Sequence, residues 1–335
     1  MIILKKRFDE MGVGNKVSLS GHFQIYKRHY LEKENQLIAE FDNLLLDSGL
    51  NGFGTSTGER FNYCQVGTGN STPAVGQVAL DTQVGAIVHS GGAFVTSHGV
   101  DDITGDYWAS TTFTYPGTLG QIVGNISEIG VSIVNNNSQP LTSRALILDN
   151  SGNPTTITLL ATEYLTIIYT IKVYPYLSDT IGSFLINGET YEFISRPFKV
   201  NTSFWAIQGT NYLGGGIGAS NYLLFANATI NEITSTGLSG VSMSLASMTP
   251  SYGYATLDPY VNNSLKNSTT LLIAQNYGNH ANGISGFNIT GEGYPLYYPG
   301  TTSCAAFQVL LDHPIPKNAD RTLAISNEMS WGRKV

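Results

Sequence analysis

Short runs of alternating apolar and polar residues, separated by clusters of Gly, Asn, Ser and Pro, follow one another through most of this chain of 335 residues. The clearest runs are residues 17–30 and 164–174, and a turn cluster, DNSGNP, occupies residues 149–154. Alternation is typical of strands with one buried face, and such a cluster typically joins antiparallel strands as a hairpin. The sequence therefore predicts a mainly β protein with antiparallel β-sandwich or jelly-roll-like regions.

One stretch near the start of the chain, residues 34–49, has a helical periodicity instead. Its apolar residues fall on one stripe of a 3.6-residue period, and Gly49 can end a helix in the left-handed conformation. We therefore predict one N-terminal amphipathic helix. Because a short helix is stabilised mainly by packing, this helix is expected to dock on the chain's own sheet or on a neighbour. The candidates for that assembly interface are Leu37, Phe41, Leu44 and Leu45.

The pattern divides the chain into three parts. Residues 1–60 are interpreted as a strand and helix docking segment, and residues 61–178 as a β-sandwich region. Residues 179–335 form a second, loop-rich β region, which can be continuous with the first. At its end, two strands joined by a proline-containing turn are predicted over residues 307–331.

Composition excludes several functional classes. The net charge of -7 offers no basic surface for nucleic acid or for anionic lipid. The N-terminal apolar run is too short for a signal-peptide core, and no apolar stretch of 18 residues occurs, so neither export nor membrane insertion is expected. Cys64 and Cys304 are too few for a disulfide framework and are interpreted as free thiols.

Motifs that resemble catalytic or metal sites lie in unsuitable contexts. The G-x-S-x-G match at residues 54–58 follows the predicted helix instead of a strand, and a G-x-G-x-x-A match at residues 214–219 has no strand-to-helix unit. Asp101, Asp102 and Asp106 could hold calcium, but an ordinary acidic turn is the favoured interpretation. We predict no catalytic residue, no metal and no cofactor.

Tyrosines crowd the C-terminal half of the chain. Tyrosine rings can stack on sugar faces, so glycan contact is one interpretation, although packing within sheets and interfaces is favoured. The candidates for glycan contact are Tyr254, Tyr277, Tyr294 and Tyr297.

The string FDNLLLDSGLNGFGT, followed by NYCQVGTGNSTPAVGQVAL, resembles the N-terminal region of virion structural proteins from tailed bacteriophages. Two later stretches, residues 143–174 and the terminal FQVLLDHPIPKNADRTLAISNEMSWGR, are similar to the same family. Together these stretches cover about a third of the chain, and they are patterns of packing and turns, not catalytic motifs.

The resemblance implies a non-enzymatic virion component, made in the host cytoplasm and placed at the tail, baseplate, neck or fibre. Its partners would be other virion proteins and copies of itself, with symmetric oligomers expected. Two alternatives stay open: a receptor-binding module for a host surface glycan, and a capsid-decorating protein. A glycan depolymerase is a further hypothesis, for which turnover of host polysaccharide would be the test.

Overall fold

The computed structural model describes residues 12–54, 61–90, 95–197, 221–232, 239–246, 254–273, 279–290, 305–319 and 322–334. These residues are mainly β and form largely antiparallel sheets, as the sequence predicted. In chain order the strands are β1 (Gly12–His29), β2 (Gln36–Leu45), β3 (Tyr63–Gly67), β4 (Gln83–Val88), β5 (Val95–Val100), β6 (Tyr107–Pro116), β7 (Gly124–Ile126), β8 (Glu128–Ser132), β9 (Ser143–Leu146), β10 (Ile157–Leu159), β11 (Glu163–Pro175), β12 (Thr180–Ile186), β13 (Glu189–Pro197), β14 (Asn221–Thr229), β15 (Ser239–Ala246), β16 (Tyr254–Leu257), β17 (Lys266–Ile273), β18 (Ile284–Thr290), β19 (Ala305–Ile315) and β20 (Leu323–Arg333). One short helix, α1, spans Asp47–Gly52.

The long strand β1 organises the larger sheet. One edge of β1 pairs with β11 along residues 17–29. The other edge is shared, because its first part pairs in parallel with β20 and its second part pairs antiparallel with β2. From β20 the sheet continues through β17 to β16. From β2 it continues through β9, β8 and β3 to β4. Beyond β11 lie β6 and β5.

The sheet curls back on itself, so that β4 comes close to β6. There the Ser90 N–H donates to the Thr114 carbonyl at 2.9 Å. Alternate residues of β1 are buried inside this curve, and the Phe23 ring lies 4.8 Å from that of Tyr169 on β11. Alternation along each strand therefore supplies the core, as the period of two requires.

A second sheet of six strands has the order β12, β13, β19, β18, β14, β15. It meets the larger sheet at a buried polar contact, where Asn15 on β1 accepts from the Ser195 hydroxyl at 2.7 Å and donates to Asn327 at 2.8 Å. The larger sheet thus contains β1 and β2 as well as β16, β17 and β20. The chain passes from the larger sheet to the second one between β11 and β12, near residue 178, and then returns to the larger sheet with β16, β17 and β20. Residues 12–29 and 36–45 are strands of the larger sheet.

The predicted helix over residues 34–49 is wrong. Most of that stretch is β2, in which Ala39, Phe41 and Leu45 are buried while Glu40 and Asp42 are exposed. The apolar residues fit a period of two as well as one of 3.6, and the ladder with β1 decides between them because it pairs the backbone of residues 36–43. Helical structure begins only at Asp47, so α1 overlaps just the last three residues of the predicted helix.

The predicted interface residues are therefore divided between two environments. Phe41 and Leu45 belong to the core of the larger sheet, where they are 5% and 2% exposed. Leu44 packs against a small separate cluster of leucines, and only Leu37, 41% exposed, lies on the surface.

Two predicted hairpins are also corrected. The DNSGNP turn does form, and an antiparallel bridge joins Leu148 to Pro154 beside it, but the pairing stops there because β9 and β10 pair with other strands. The two C-terminal strands do not pair either, since β19 belongs to the six-stranded sheet and β20 to the larger one.

Candidate assembly surface

The connection between β3 and β4, residues 68–82, is a long loop with closely spaced ends, and we call it the anchored loop. Gly67 and Gln83 at its two ends are paired in the sheet, and the Thr68 N–H donates to the Thr82 carbonyl at 2.9 Å. Loops of this length without regular structure are uncommon in compact domains, and those with closed ends are frequently functional. The anchored loop therefore stands out as a candidate functional element.

A fully buried ion pair lies beneath the anchored loop. Arg144 on β9 contacts Glu128 on β8 with two N–H groups, at 3.1 Å from Nε and 2.7 Å from Nη2. Both side chains are 0% exposed. Burying two charges costs several kcal/mol per ion, and only good geometry with further hydrogen bonds offsets that cost. The remaining polar atoms of this pair must accordingly be satisfied.

The further hydrogen bonds of Arg144 and Glu128 are made to residues of the anchored loop. Arg144 also donates to the Ser71 carbonyl at 3.2 Å, to Gln77 Oε1 at 2.7 Å and to Asp81 Oδ2 at 2.9 Å. All five N–H donors of the guanidinium are thereby used. The Glu128 carboxylate accepts from the backbone N–H groups of Gly69, Asp81 and Thr82 at 2.8–3.0 Å. The ion pair thus fixes the loop at both ends and in its middle.

Asp81 and Ser71 add a clamp within the loop. The Ser71 hydroxyl donates to Asp81 Oδ1 at 2.7 Å and its backbone N–H to Oδ2 at 2.9 Å. The hydroxyl, the Ser71 N–H and the nearby Arg144 guanidinium hold the pKa of Asp81 below its usual range. Asp81 therefore stays ionised and keeps the turn closed at neutral pH.

The loop also rests on apolar and backbone contacts. Leu80 packs against Leu46 and Leu141, with Leu44 beside them. The Asp47 N–H at the start of α1 donates to the Val75 carbonyl at 2.8 Å, and the Leu141 N–H donates to the Val78 carbonyl at 2.9 Å. These bonds draw the backbone of the loop inward at both valines.

The C-terminal strand supports the same region from below. Trp331 Nε1 donates to the Leu50 carbonyl at 2.8 Å, and Arg333 contacts both the Leu45 carbonyl and the Asp47 carboxylate. Space here is tight, because a Cβ atom added to Gly49 would lie 2.1 Å from the Thr142 carbonyl oxygen. Hydrogen bonds thus connect the end of the C-terminal strand to the segment around α1, on which the anchored loop also rests.

The outward side of the anchored loop carries no formal charge between Thr72 and Val78, and two of its apolar side chains face solvent. Val75 is 42% exposed and Val78 55%. Since their own carbonyls are bonded inward, both valines are presented from an ordered backbone. Such a surface suits contact with another protein, because little loop entropy is lost on binding.

The acidic residues proposed for calcium form the turn between β5 and β6. Asp101 accepts from the N–H groups of Ile103 and Thr104 at 2.9 Å each, and Asp106 contacts the Thr104 hydroxyl and the Lys334 ammonium. Asp102 lies exposed beside them. Across the described ranges, no three His, Cys, Asp or Glu side chains are grouped so that they could hold a metal ion. The carboxylates of Asp101 and Asp106 are instead used by the turn and by Lys334.

This turn makes a pH-dependent contribution to stability. The N–H groups of Thr104 and Ile103 lower the pKa of Asp101, so its contribution is present above the unfolded pKa of about 3.9 and is lost as pH falls through the folded value. We expect Asp101→Asn to melt below the parent protein at pH 7, with the difference shrinking below pH 4. Differential scanning calorimetry across this range would check it. An unchanged difference at low pH would contradict the assignment.

Several sequence candidates cannot be placed. Tyr277, Tyr294 and Tyr297 lie outside the described residues, as do Cys304 and most of the G-x-S-x-G match, and Tyr254 is located only as the first residue of β16. Glycan contact by these tyrosines stays a prediction. Cys64 is buried in β3, and burial raises the pKa of its thiol well above the usual value.

The ion pair itself was missed in the sequence. A usable signal was present, since Arg144 and Glu128 are isolated charges at the edges of apolar runs in a chain with only 12% charged residues. A charged side chain that is buried within a sheet requires an oppositely charged partner.

Comparison with protein-family models, with curated protein sequences and with solved structures gives no match for this chain. No helix among the described residues is long and apolar enough to cross a membrane.

Proposed function

We propose that this chain is a non-enzymatic structural component of a tailed bacteriophage virion, associated with the tail, baseplate, neck or fibre. In this proposal it acts through protein–protein contacts made by the anchored loop. Its two sheets would form the β-sandwich or jelly-roll-like body that presents the loop. The observation that carries the proposal is a loop whose outward segment, residues 72–78, bears two exposed valines and no formal charge, and which the buried Arg144–Glu128 pair holds to the sheet.

The buried ion pair supports a positioning role more than a stabilising one. Replacing such a pair by apolar residues of similar volume often leaves stability unchanged or improved, so its presence is weak evidence for stability. What the pair does here is fix the path of residues 68–82, because it bonds to Gly69, Ser71, Gln77, Asp81 and Thr82. A loop ordered in this way keeps one shape before it meets a partner, which favours specific assembly.

The scarcity of charge supports the same proposal. Charged residues make up 12% of the chain, about half the usual share. Charged residues are depleted at the cores of protein interfaces, where desolvating them is costly. A surface rich in Thr, Ser, Asn and Gly can pack against other subunits while still being wetted before assembly.

A double substitution on the anchored loop tests this proposal. Val75→Asp with Val78→Asp should leave the fold intact, within about 0.5 kcal/mol per site, because both side chains are exposed. Incorporation into particles should fall by about 30-fold or more if the loop is a central contact, since about 2 kcal/mol is lost at such positions. Incorporation would be measured by complementing a phage that lacks the gene and by quantifying the protein in purified particles.

The matched control replaces an exposed isoleucine and an exposed valine outside the anchored loop by Asp. Ile181→Asp with Val261→Asp changes two side chains that are 73% and 70% exposed and lie away from the loop. This variant should enter particles like the parent. Equal incorporation of both variants would refute the role of the anchored loop.

A further inference from the structure

A groove of about 690 Å³ opens beside β2, on the side away from β1. It arises because β9 pairs with β2 only at Leu44 and Leu45, after which the two strands diverge. The turn at residues 148–152 forms the opposite wall. Within the described residues, no strand pairs with this edge of β2 over residues 36–43. Backbone N–H and C=O groups on such an edge can pair with an added strand.

The walls of the groove are both apolar and acidic. Leu37, Ile38 and Leu148 supply apolar surface. Glu40, Asp42 and Asp149 supply three carboxyl groups, whereas no Lys or Arg lines the groove among the described residues. Of these acids, Glu40 and Asp42 lie two residues apart on the solvent face of β2. A strand that fits here should present two cations at the same spacing.

One segment of this chain has that pattern. Residues 2–8, IILKKRF, precede β1 and lie outside the described residues. In an extended strand Lys5 and Arg7 share a face, with Leu4, Lys6 and Phe8 on the other. Opposite charges facing one another across neighbouring strands are favourable, whereas like charges are unfavourable. Lys5 and Arg7 therefore complement Glu40 and Asp42 in both charge and spacing.

The segment of the same chain is too short to reach the groove. Asp42 lies opposite His22 on β1, ten residues after Gly12, which corresponds to about 33 Å of strand. Lys5 is seven residues before Gly12, so it extends at most about 25 Å from that point. The occupant must accordingly come from another molecule.

We propose that residues 2–8 of a second copy of this chain add as a strand to the open edge of β2. Main-chain hydrogen bonds would supply affinity, and the pairs of Lys5 and Arg7 with Glu40 and Asp42 would set the register, as in other cases of strand addition. Reciprocal exchange between two copies gives a closed, symmetric pair, and exchange around a ring gives a larger closed oligomer. This surface is separate from the anchored loop, so the inference does not depend on the proposed function.

Charge-reversal substitutions in the full-length protein test this arrangement. The parent should self-associate, as measured by size-exclusion chromatography with light scattering, and more weakly at high salt. The arm variant Lys5→Glu with Arg7→Glu and the edge variant Glu40→Lys with Asp42→Lys should each be monomeric. A mixture of the two variants should associate again, because the acidic arm of one fits the basic edge of the other. Circular dichroism and thermal melting establish that each variant is folded.

The control Lys16→Glu with Lys33→Glu reverses two exposed lysines and should keep the mass of the parent. A monomeric parent at every concentration would overturn the inference. So would self-association that survives the arm variant but not the edge variant, because another segment would then occupy the groove. Failure of the two reversed variants to associate when mixed would also overturn it.

Discussion

Replacing Arg144 by Met is expected to lower the free energy of unfolding by about 3–5 kcal/mol, because it leaves the Glu128 charge buried without its partner. The substitution also removes the bonds to Ser71, Gln77 and Asp81, so the anchored loop should lose its fixed path. Urea unfolding followed by fluorescence gives the stability change, and limited proteolysis gives the loss of order in the loop. New cleavage is expected within residues 68–82.

Two control variants separate the buried pair from ordinary charge effects. Arg144→Met combined with Glu128→Leu should be more stable than Arg144→Met alone, since the fully buried charge of Glu128 is then absent. Lys266→Met breaks the exposed pair with Glu328 and should cost at most about 1 kcal/mol. A cost below 1 kcal/mol for Arg144→Met would contradict the assignment of the buried pair.

Phe41 and Leu37 should respond very differently to truncation, although a helix would place them on one face. Phe41 is 5% exposed and its ring lies 6.0 Å from that of Phe23, so Phe41→Ala should cost about 3–5 kcal/mol. Leu37 is 41% exposed, so Leu37→Ala should cost no more than about 1 kcal/mol. Chemical denaturation of both variants gives the comparison. Similar costs for the two would contradict the strand assignment of residues 36–45.

Strands could be predicted wherever apolar and polar residues alternate over a long run. Residues 17–30 and 164–174 were expected to be strands, and they correspond to β1 and β11, which pair along most of their lengths. In both, apolar side chains at every second position can be buried only on one face of a sheet. No helical pattern competes there.

Prediction failed where two periods fit the same residues. In residues 36–45 the apolar positions satisfy both a helical stripe and a strand face, and only pairing with β1 selects the strand. This pairing is a hairpin between consecutive strands, and the spacing of apolar residues within 36–45 alone does not report it. The consequence was that core residues Phe41 and Leu45 were mistaken for an interface.

A turn signal at Asn187 and Gly188 was also missed in the sequence. Asn187 and Gly188 both have positive φ and connect β12 to β13 in a tight hairpin, which was not predicted from the sequence. Asn-Gly between two apolar runs is a strong hairpin signal. The signal was therefore present in the sequence.

The anchored loop illustrates what a sequence alone does not reveal. Its glycines and the proline indicate a loop, but its order depends on Arg144 and Glu128, which lie 46 or more residues beyond Thr82. Nothing in the spacing of Gly69, Ser71 and Asp81 indicates which distant charges they will meet.

Mass spectrometry of purified bacteriophage particles tests the central claim most directly. Particles of the phage that encodes this chain would be banded on a density gradient, washed and digested, and the peptides quantified against a known virion protein. The proposed function predicts this chain in the particles at a fixed ratio to the other structural proteins, and its retention after high-salt washing. Its absence from particles, with abundant protein left in the lysate, would contradict the proposal.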